Sequence, residues 1–397
     1  MSRAARFPRA LSAIAFAIAA LACGPMASGQ VTHANGADPL VQDATPSDPS
    51  GAVTAARKRV AAGDLSGAVK YLALYVGWHP QEIEPARYLA DLYYRQADFS
   101  AAERTLKAIL AYAPNDRGTH DRLGGIYAAQ DRIAEATVEF QKSLPETGAY
   151  GHLVDLHRRL GDLTAFEHNY REQADIRPDD ASAQYAIGTI YEAEHKPQDA
   201  VVFLSRALEL SPHSCPILSE LGDAYLDTGA ADRAVTILTR CLQIDRDDYS
   251  ALVNLGAAQI ALRQYDKSSE SLKHANRVHA DGPEALVDLG YLEDVAGHSQ
   301  AAVAFYLRAI AVDPLSRDAY VDLGYDYTEQ GLYPLAEAAF LKGLSVVPND
   351  GRLHYLLGVT YADQGKRALA RQEYERATKS DEPEVASAAT RDLQRLQ

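Results

Sequence analysis

Two consecutive stretches of the sequence decide the fold. Residues 283–316 read PEALVDLGYLEDVAGHSQAAVAFYLRAIAVDPLS, and residues 317–350 read RDAYVDLGYDYTEQGLYPLAEAAFLKGLSVVPND. Each stretch has 34 residues, carries VDLGY from its fifth position and has a proline near its end. A repeat of this length is typical of architectures in which each copy is one supersecondary unit and neighbouring copies stack.

The same 34-residue period extends across most of the chain. A Leu-Gly pair recurs, a small residue follows the glycine by twelve positions, and a large apolar residue follows by four more. The Leu-Gly pairs stand at 221–222, 255–256, 289–290, 323–324 and 357–358. In this register, ten units begin at residues 49, 83, 117, 147, 181, 215, 249, 283, 317 and 351.

This pattern resembles the tetratricopeptide repeat (TPR) family, whose unit is a helix–turn–helix hairpin. The resemblance implies an all-α fold, an α-α superhelix or solenoid of about ten hairpins over residues 51–383. Within each unit the apolar residues fall at i, i+3, i+4 and i+7, which places them on one face of a helix. Gly229, Gly297, Gly331 and Gly365 fall at the turn between the two helices, where positive φ costs glycine little.

The last residues of the chain are expected to cap the array. Residues 384–397 carry an apolar stripe at helical spacing, formed by Val385, Ala389, Leu393 and Leu396. The preceding proline suits the first turn of a helix. We expect a C-terminal capping helix here, which covers the apolar face of the last hairpin.

The array is irregular near residues 144–151. The third unit is four residues short, and the fourth has Val154, His157 and Phe166 where the family pattern has glycine, tyrosine and a small residue. We expect a kink or a changed superhelix pitch at this junction. The alternative is that the larger side chains repack without one.

Residues 1–30 resemble a secretory signal peptide. Arginines precede an apolar run over residues 11–22, which is shorter than the roughly 20 residues of a membrane span. Cleavage before Cys23 fits a bacterial lipoprotein signal with a lipid on Cys23, and cleavage after Gly29 fits an ordinary signal. Residues 31–50 lack periodicity and are expected to be a flexible tether. We expect a protein of the periplasm or outer envelope, lipid-anchored if Cys23 is modified and without a transmembrane span, with secretion as the alternative.

The composition argues against several function classes. The 397 residues include 54 acidic and 39 basic ones, which gives a formal net charge of −15. That balance argues against nucleic-acid binding, which needs a basic surface to neutralise phosphates. No HExxH, CxxC or GxSxG motif occurs, and the histidine spacings suit no metal site. We therefore expect no catalytic residue, no metal, no cofactor and no enzymatic activity.

Cys215 and Cys241 stand at the first and the 27th positions of one unit, which a helix hairpin places at the same end. An exported protein meets oxidising conditions, so a disulfide between them is one interpretation. The other is that Cys241 replaces the small buried residue of position 27 and that Cys215 is an isolated thiol. The repeat pattern favours this second interpretation.

By resemblance to the family, ligands are expected in a concave groove formed mainly by the first helix of each hairpin. From the fifth to the ninth unit, the groove positions hold many acids and no Lys or Arg, whereas the second to fourth units mix acids with bases such as Arg87, Arg122 and Arg158. Tyr185 and Tyr355 are predicted to face the same groove. The candidate ligand-binding residues are Glu220, Asp223, Asp227, Asp288, Tyr291, Asp294, Asp322 and Tyr325.

These features predict a non-enzymatic protein–protein interaction scaffold, exported or envelope-associated, that binds a protein or peptide segment of basic character in its groove. One alternative for the acidic face is a solvated helix surface that binds nothing. A second function class is carbohydrate binding or an accessory role in polysaccharide export, because rings and carboxylates together can hold sugars. A more remote alternative is a regulatory array detached from a glycosyltransferase. The sequence identifies neither the partner nor the oligomeric state.

Overall fold

The computed structural model describes residues 49–144, 149–280, 282–314, 316–380 and 382–396. These residues form helices and turns without any strand, which confirms the all-α prediction for that part of the chain. None of these helices is both long enough and apolar enough to cross a membrane. The predicted signal peptide, Cys23 and residues 31–48 of the predicted tether lie outside the described residues.

The chain divides into two compact units, the first ending at Ser143 and the second beginning at Leu144. The first unit contains α1 (Pro49–Ala61), α2 (Leu65–Trp78), α3 (Ile83–Arg95), α4 (Phe99–Tyr112), α5 (Arg117–Ala129) and α6 (Ile133–Ser143). The second unit contains α7 (Ala149–Leu160), α8 (Leu163–Ile176), α9 (Ala181–Ala193), α10 (Pro197–Leu210), α11 (Cys215–Asp227), α12 (Ala231–Ile244), α13 (Tyr249–Ala261), α14 (Tyr265–Val278), α15 (Pro283–Val295), α16 (Ser299–Val312), α17 (Arg317–Glu329), α18 (Tyr333–Val346), α19 (Gly351–Asp363), α20 (Arg367–Ala377) and α21 (Pro383–Arg395). The predicted kink at 144–151 stays a prediction, because residues 145–148 lie outside the described part.

Each predicted repeat is a hairpin of two packed helices. In the fifth to ninth repeats the first helix has 13 residues and the second has 14. Within the second unit, the first helices of neighbouring hairpins also pack against one another, in the order α9, α11, α13, α15 and α17. The predicted groove positions all lie on these first helices.

The turn inside each hairpin passes through one residue with positive φ, always at the fifteenth position of the repeat. At six turns this residue is a glycine, which confirms the four predicted turn glycines: Gly63, Gly161, Gly229, Gly297, Gly331 and Gly365. At the other four turns it carries a side chain: Ala97, Asp131, His195 and Arg263, with φ between 57° and 60°. Residues with a Cβ atom lose about 1 to 2 kcal/mol in this conformation.

Close approach of the two helices explains the small residues of the repeat. A Cβ atom added to Gly222 on α11 would lie 2.5 Å from Leu238 Cδ2 on α12. A Cβ atom added to Gly188 would likewise lie too close to Leu204, and one added to Gly256 would lie too close to Leu272. The small residues that follow the first-helix glycine by twelve positions are wholly buried: Ala200, Ala234, Ser268, Ala302, Ala336 and Ala370.

The C-terminal helix α21 covers the end of the last hairpin. Val385 and Ala389 are wholly buried, and Leu393 and Leu396 pack against the same core cluster. Glu382, just before the helix, accepts a hydrogen bond from Arg317 at 2.8 Å and another from Arg352.

Cys215, at the start of α11, and Cys241, on α12, are joined by a disulfide. Their Cα atoms lie 4.8 Å apart, within the usual range for disulfides, and both residues are buried. The isolated thiol that the repeat pattern favoured for Cys215 is therefore not what the structure shows. The hairpin brings the first and the 27th positions together at one end, and Cys241 also fills the small buried position.

Candidate ligand-binding groove

Four acidic side chains interact between α9 and α11, two first helices that pack against each other. Glu192 lies one residue before the end of α9. Glu220, Asp223 and Asp227 share a face of α11, because residues three, four and seven apart lie on one side of a helix. We call these four residues the acid cluster. All four are half-buried.

Burial and mutual repulsion disfavour ionisation of these carboxyls. Burial raises the pKa of Glu220 to about 7. Burial, with the negative charges of Asp227 and Glu220, raises the pKa of Glu192 to about 8. The pKa of Asp223 is raised well above its ordinary value by burial and by the charges of the other three. The charged groups that shift the pKa values of Glu192 and Asp223 all belong to the acid cluster.

Glu192 and Asp223 of the acid cluster each have one buried oxygen atom without a hydrogen-bond donor. Glu192 Oε1, on α9, and Asp223 Oδ1, on α11, accept no hydrogen bond from any described residue. A buried acceptor that lacks a donor costs roughly 1 to 3 kcal/mol. A cationic donor from outside the chain would satisfy both oxygens and would also offset the negative charge.

The remaining predicted groove residues lie on α15 and α17, two further first helices that pack together. Four of them are half-buried and retain solvent access: Tyr291, Asp294, Asp322 and Tyr325. Asp288 is only 2% exposed, and its role as a ligand-facing residue stays a prediction. Its helix, α15, packs against a first helix on each side, α13 and α17.

Tyr185 and Tyr355 also differ from their predicted placement. Tyr185 is 4% exposed and meets Tyr150 edge-on at 6.0 Å between ring centroids. Tyr355 is 9% exposed and donates a 2.9 Å hydrogen bond to Asp392 on α21. Both rings therefore belong to the packing between helices rather than to a ligand-facing surface.

Several arginines at the equivalent positions of the second to fourth repeats already have acidic partners. Arg122 on α5 donates a 2.9 Å hydrogen bond to Asp91 on α3. Arg158 on α7 donates at 2.6 Å to Asp155 of its own helix. Local ion pairs therefore offset the charge of these arginines, and Arg158 also donates a 2.8 Å hydrogen bond to the backbone oxygen of Ala193, the residue after Glu192.

A second group of chemistry-bearing side chains lies at the other end of α11. Cys215, Cys241 and Asp248 place one sulfur or oxygen atom each within 4.8 Å of one another. Asp248 also accepts a 2.7 Å hydrogen bond from the backbone N–H of Ala251 and so caps α13. The disulfide occupies both sulfurs, and these contacts give the group a structural role.

The sequence interpretation left Glu192 out of the candidate residues, although it occupies a groove position. The signal that could have found it is positional. Glu192 is at the twelfth position of one repeat and Asp227 at the thirteenth position of the next, so stacking of successive first helices brings the two residues near each other.

Comparison with known proteins agrees with this architecture. Two tetratricopeptide repeat family models match the chain, one at residues 59–120, 191–248 and 225–289, the other at residues 287–352 and 321–385. Among curated proteins, none matches.

Three solved structures illustrate the likeness of the fold. The APC/C hetero-tetramer Cut9–Hcn1 has a TM-score of 0.54 at 14% identity, over 86% of this chain and 84% of that one. A human IFIT1 dimer has a TM-score of 0.55 at 15% identity, over 79% of this chain and 80% of that one. A tetratricopeptide repeat protein from Parabacteroides merdae has a TM-score of 0.50 at 18% identity, over 61% of this chain and 97% of that one.

The family models together span most of the ten predicted repeats, and the helices, turns and small-residue contacts follow the same 34-residue register. The chain belongs to the tetratricopeptide repeat family.

Proposed function

We propose that this protein is an exported interaction scaffold that binds a basic segment of a partner protein against the first helices of its second unit. Tetratricopeptide repeats are protein-interaction modules, and this supports the scaffold role. The observation that carries the basic character of the partner is the acid cluster, in which burial raises the pKa values of Glu192, Glu220 and Asp223 and neighbouring carboxyls repel one another. Uncompensated charge of one sign selects partners of the other sign and speeds their association.

The half-buried tyrosines of α15 and α17 extend the proposed surface. Tyr291 and Tyr325 occupy the same position of successive repeats, with Asp294 and Asp322 on the same two helices. Tyrosine gives a rigid contact area with a polar tip, which suits a segment that lies across several repeats. A basic extended segment or helix would meet rings and carboxylates in alternation.

The N-terminal sequence supports export. The basic start, the short apolar run and the small residues before Cys23 and Gln30 form a secretory signal pattern. We propose that the mature chain acts in the periplasm or outer envelope, with lipidation of Cys23 as one form of attachment. Mass spectrometry of the N-terminal peptide from native cells tests this: a lipid on Cys23 supports attachment, and a chain that begins at Gln30 refutes it.

We propose no catalytic role for this array. Repeats of this family act as scaffolds, and the acid cluster pairs carboxyls with one another rather than with a nucleophile. The remote glycosyltransferase alternative has no described group that supports it.

In-cell crosslinking of the tagged protein, followed by mass spectrometry, tests the proposed surface. The test variant combines Glu220→Gln and Asp223→Asn, which remove charge while preserving side-chain shape. The control variant combines Asp232→Asn and Glu270→Gln, two exposed acids on α12 and α14. We expect a partner that crosslinks to α9–α17 in the wild type and in the control but is lost with the test variant.

The same crosslinking experiment can also contradict the proposed binding surface. If the same partner persists with the test variant at wild-type yield, the acid cluster does not bind it and the charge argument is wrong. Crosslinks confined to the second helices of the hairpins would place binding on another face.

A carbohydrate ligand is the second candidate, because Tyr291 and Tyr325 retain solvent access beside carboxylates. The dependence of binding on salt concentration distinguishes a basic segment from a carbohydrate. Binding of a basic segment weakens as ionic strength rises, whereas stacking of sugars on rings changes little.

A further inference from the structure

The second helices of the first unit present a stripe of basic and apolar side chains to solvent. Positions 22, 26 and 30 of a repeat are four residues apart, so they share one face of its second helix. On α6, which ends before its thirtieth position, only the first two of these positions belong to the helix. We call the residues at these positions the outer stripe: Lys70, Leu74 and Trp78 on α2, Arg104, Ala108 and Tyr112 on α4, and Val138 and Lys142 on α6. All eight side chains are exposed.

The three parts of the outer stripe lie on the same side of the first unit. Its first helices pack in the order α1, α3 and α5, and α2 and α4 each pack against the first helices of their own and the next hairpin. Stacking of this kind gives equivalent positions of successive repeats equivalent surroundings. The exposed faces of α2, α4 and α6 therefore form one surface.

We propose that the outer stripe docks the first unit on a membrane surface of anionic phospholipid. The three bases would meet the headgroups, and the two rings would enter the interfacial layer beneath them. A membrane interface supplies both anionic groups and an apolar layer, so one partner suits the bases and the rings together. This surface is separate from the one that we propose for a basic partner on the second unit.

Charge distinguishes the first unit from the rest of the chain. Residues 49–143 hold 12 basic and 11 acidic residues, whereas residues 144–397 hold 24 basic and 40 acidic ones. The outer stripe itself holds three bases and no acid. An anionic surface attracts bases and repels acids over roughly a Debye length. The first unit can therefore approach such a surface at a lower electrostatic cost than the second.

The acids on the same three helices already have basic partners. Glu103 accepts a 2.9 Å hydrogen bond from Arg132, which also donates to Glu135 at 2.7 Å. Glu139 accepts a 2.8 Å hydrogen bond from Lys142, whose side chain stays half exposed. These pairs offset the acidic charges that would otherwise repel the headgroups beside the outer stripe.

Two aromatic rings lie at the ends of α2 and α4. Trp78 is 58% exposed and Tyr112 is 40% exposed, and each is the last residue of its helix. Tryptophan and tyrosine prefer the boundary between headgroups and acyl chains, because each has an apolar ring and a polar tip. None of the seven repeats of the second unit has an aromatic residue at this position. The combination of rings and bases is therefore particular to the first unit.

Trp78 makes docking directly measurable, because it is the single tryptophan of the chain. The probe is a large unilamellar vesicle made of equal parts of phosphatidylglycerol and phosphatidylcholine, and the matched probe contains phosphatidylcholine alone. The protein is the chain from Gln30 to Gln397 without a lipid group, so that a covalent anchor cannot cause the binding. Emission spectra report the environment of Trp78, and flotation in a density gradient measures the bound fraction.

We expect the anionic vesicles to bind the protein and to shift the emission of Trp78 to shorter wavelength, and the phosphatidylcholine vesicles to do neither. Raised salt should release the protein. The double variant Lys70→Gln with Arg104→Gln should weaken binding by about 30-fold, on the order of fivefold for each base. The control is Arg206→Gln with Arg240→Gln, which removes the same charge from exposed positions on α10 and α12. It should weaken binding by less than about twofold, because charges beyond a Debye length are screened.

Other outcomes overturn the membrane proposal. If neither vesicle floats the protein or shifts the emission of Trp78, the outer stripe does not dock on lipid. If both vesicles bind equally, or if both double variants lose binding equally, the charge argument is wrong. If polyglutamate shifts the emission and vesicles do not, the partner is an acidic protein. If the emission shifts with protein concentration alone, a second copy of the chain covers the stripe. The acid cluster takes no part in these measurements, so the proposed function is tested separately.

Discussion

Removal of one charge from the acid cluster should stabilise the protein at high pH. The pKa of Glu192 is about 8 in the folded chain, against an ordinary value of 4.5. Between these values the folded state holds a proton that the unfolded state has released, so stability falls as pH rises from about 4.5 to 8. Each unit of pKa difference corresponds to about 1.4 kcal/mol, which gives a full ionisation cost of about 5 kcal/mol.

The Glu192→Gln variant removes this cost without changing the shape of the side chain. Asp227 and Glu220 share the repulsion and remain in place, so we expect a gain of about 2 to 3 kcal/mol at pH 9 and a gain near zero at pH 5. Urea unfolding followed by circular dichroism at both pH values measures the difference. Glu329→Gln is the matched control, because it removes the same charge from an exposed position.

Two results would refute this reasoning. One is an equal shift of the urea midpoint by Glu192→Gln at pH 5 and pH 9, because the effect would then not come from ionisation. The other is an equal gain from Glu329→Gln at pH 9, because the effect would then reflect the net charge of the chain rather than the acid cluster.

Three further predictions concern the scaffold. Arg263→Gly should raise the free energy of unfolding by about 1 kcal/mol, because Arg263 has a positive φ of 57° that glycine adopts at lower cost; a lower free energy of unfolding would contradict this. Gly222→Ala should destabilise by about 1 to 3 kcal/mol in the same assay, because its Cβ would lie 2.5 Å from Leu238 Cδ2; a neutral result would mean that the hairpin adjusts freely. A reducing agent should add two hydrogen atoms to the intact mass and lower the stability by about 3 kcal/mol, as expected for cysteines 26 residues apart; an unchanged mass would show that Cys215 and Cys241 are thiols.

The fold could be predicted from the sequence because its determinants lie inside one period. The glycine of the first helix and its large partner on the second helix are always sixteen residues apart, as with Gly222 and Leu238. The positive-φ residue recurs at one position, so a missing glycine, as at Arg263, does not hide the turn. Local spacing therefore carries most of the information about each hairpin.

The candidate site could be predicted only in part, because it depends on contacts between periods. Position within the repeat assigned Asp288 to the groove, but it did not predict that this residue is only 2% exposed. The sequence identified the acids of α11, yet the raised pKa values of Glu220 and Asp223 do not follow from spacing. Those properties depend on how closely α9 approaches α11.

The division between contacts within a repeat and contacts between repeats has a consequence for how such a gene can change. A duplicated or exchanged segment of one period would carry its own turn residue, its own glycine contact and, in one case, both cysteines. It would lose the ion pairs that join neighbouring repeats, such as Arg122 with Asp91. Single hairpins would therefore still fold after such a rearrangement. Their order along the chain depends instead on the ion pairs between neighbouring repeats. The acid cluster lies across one such border, so a shuffled array would keep its fold and lose this site.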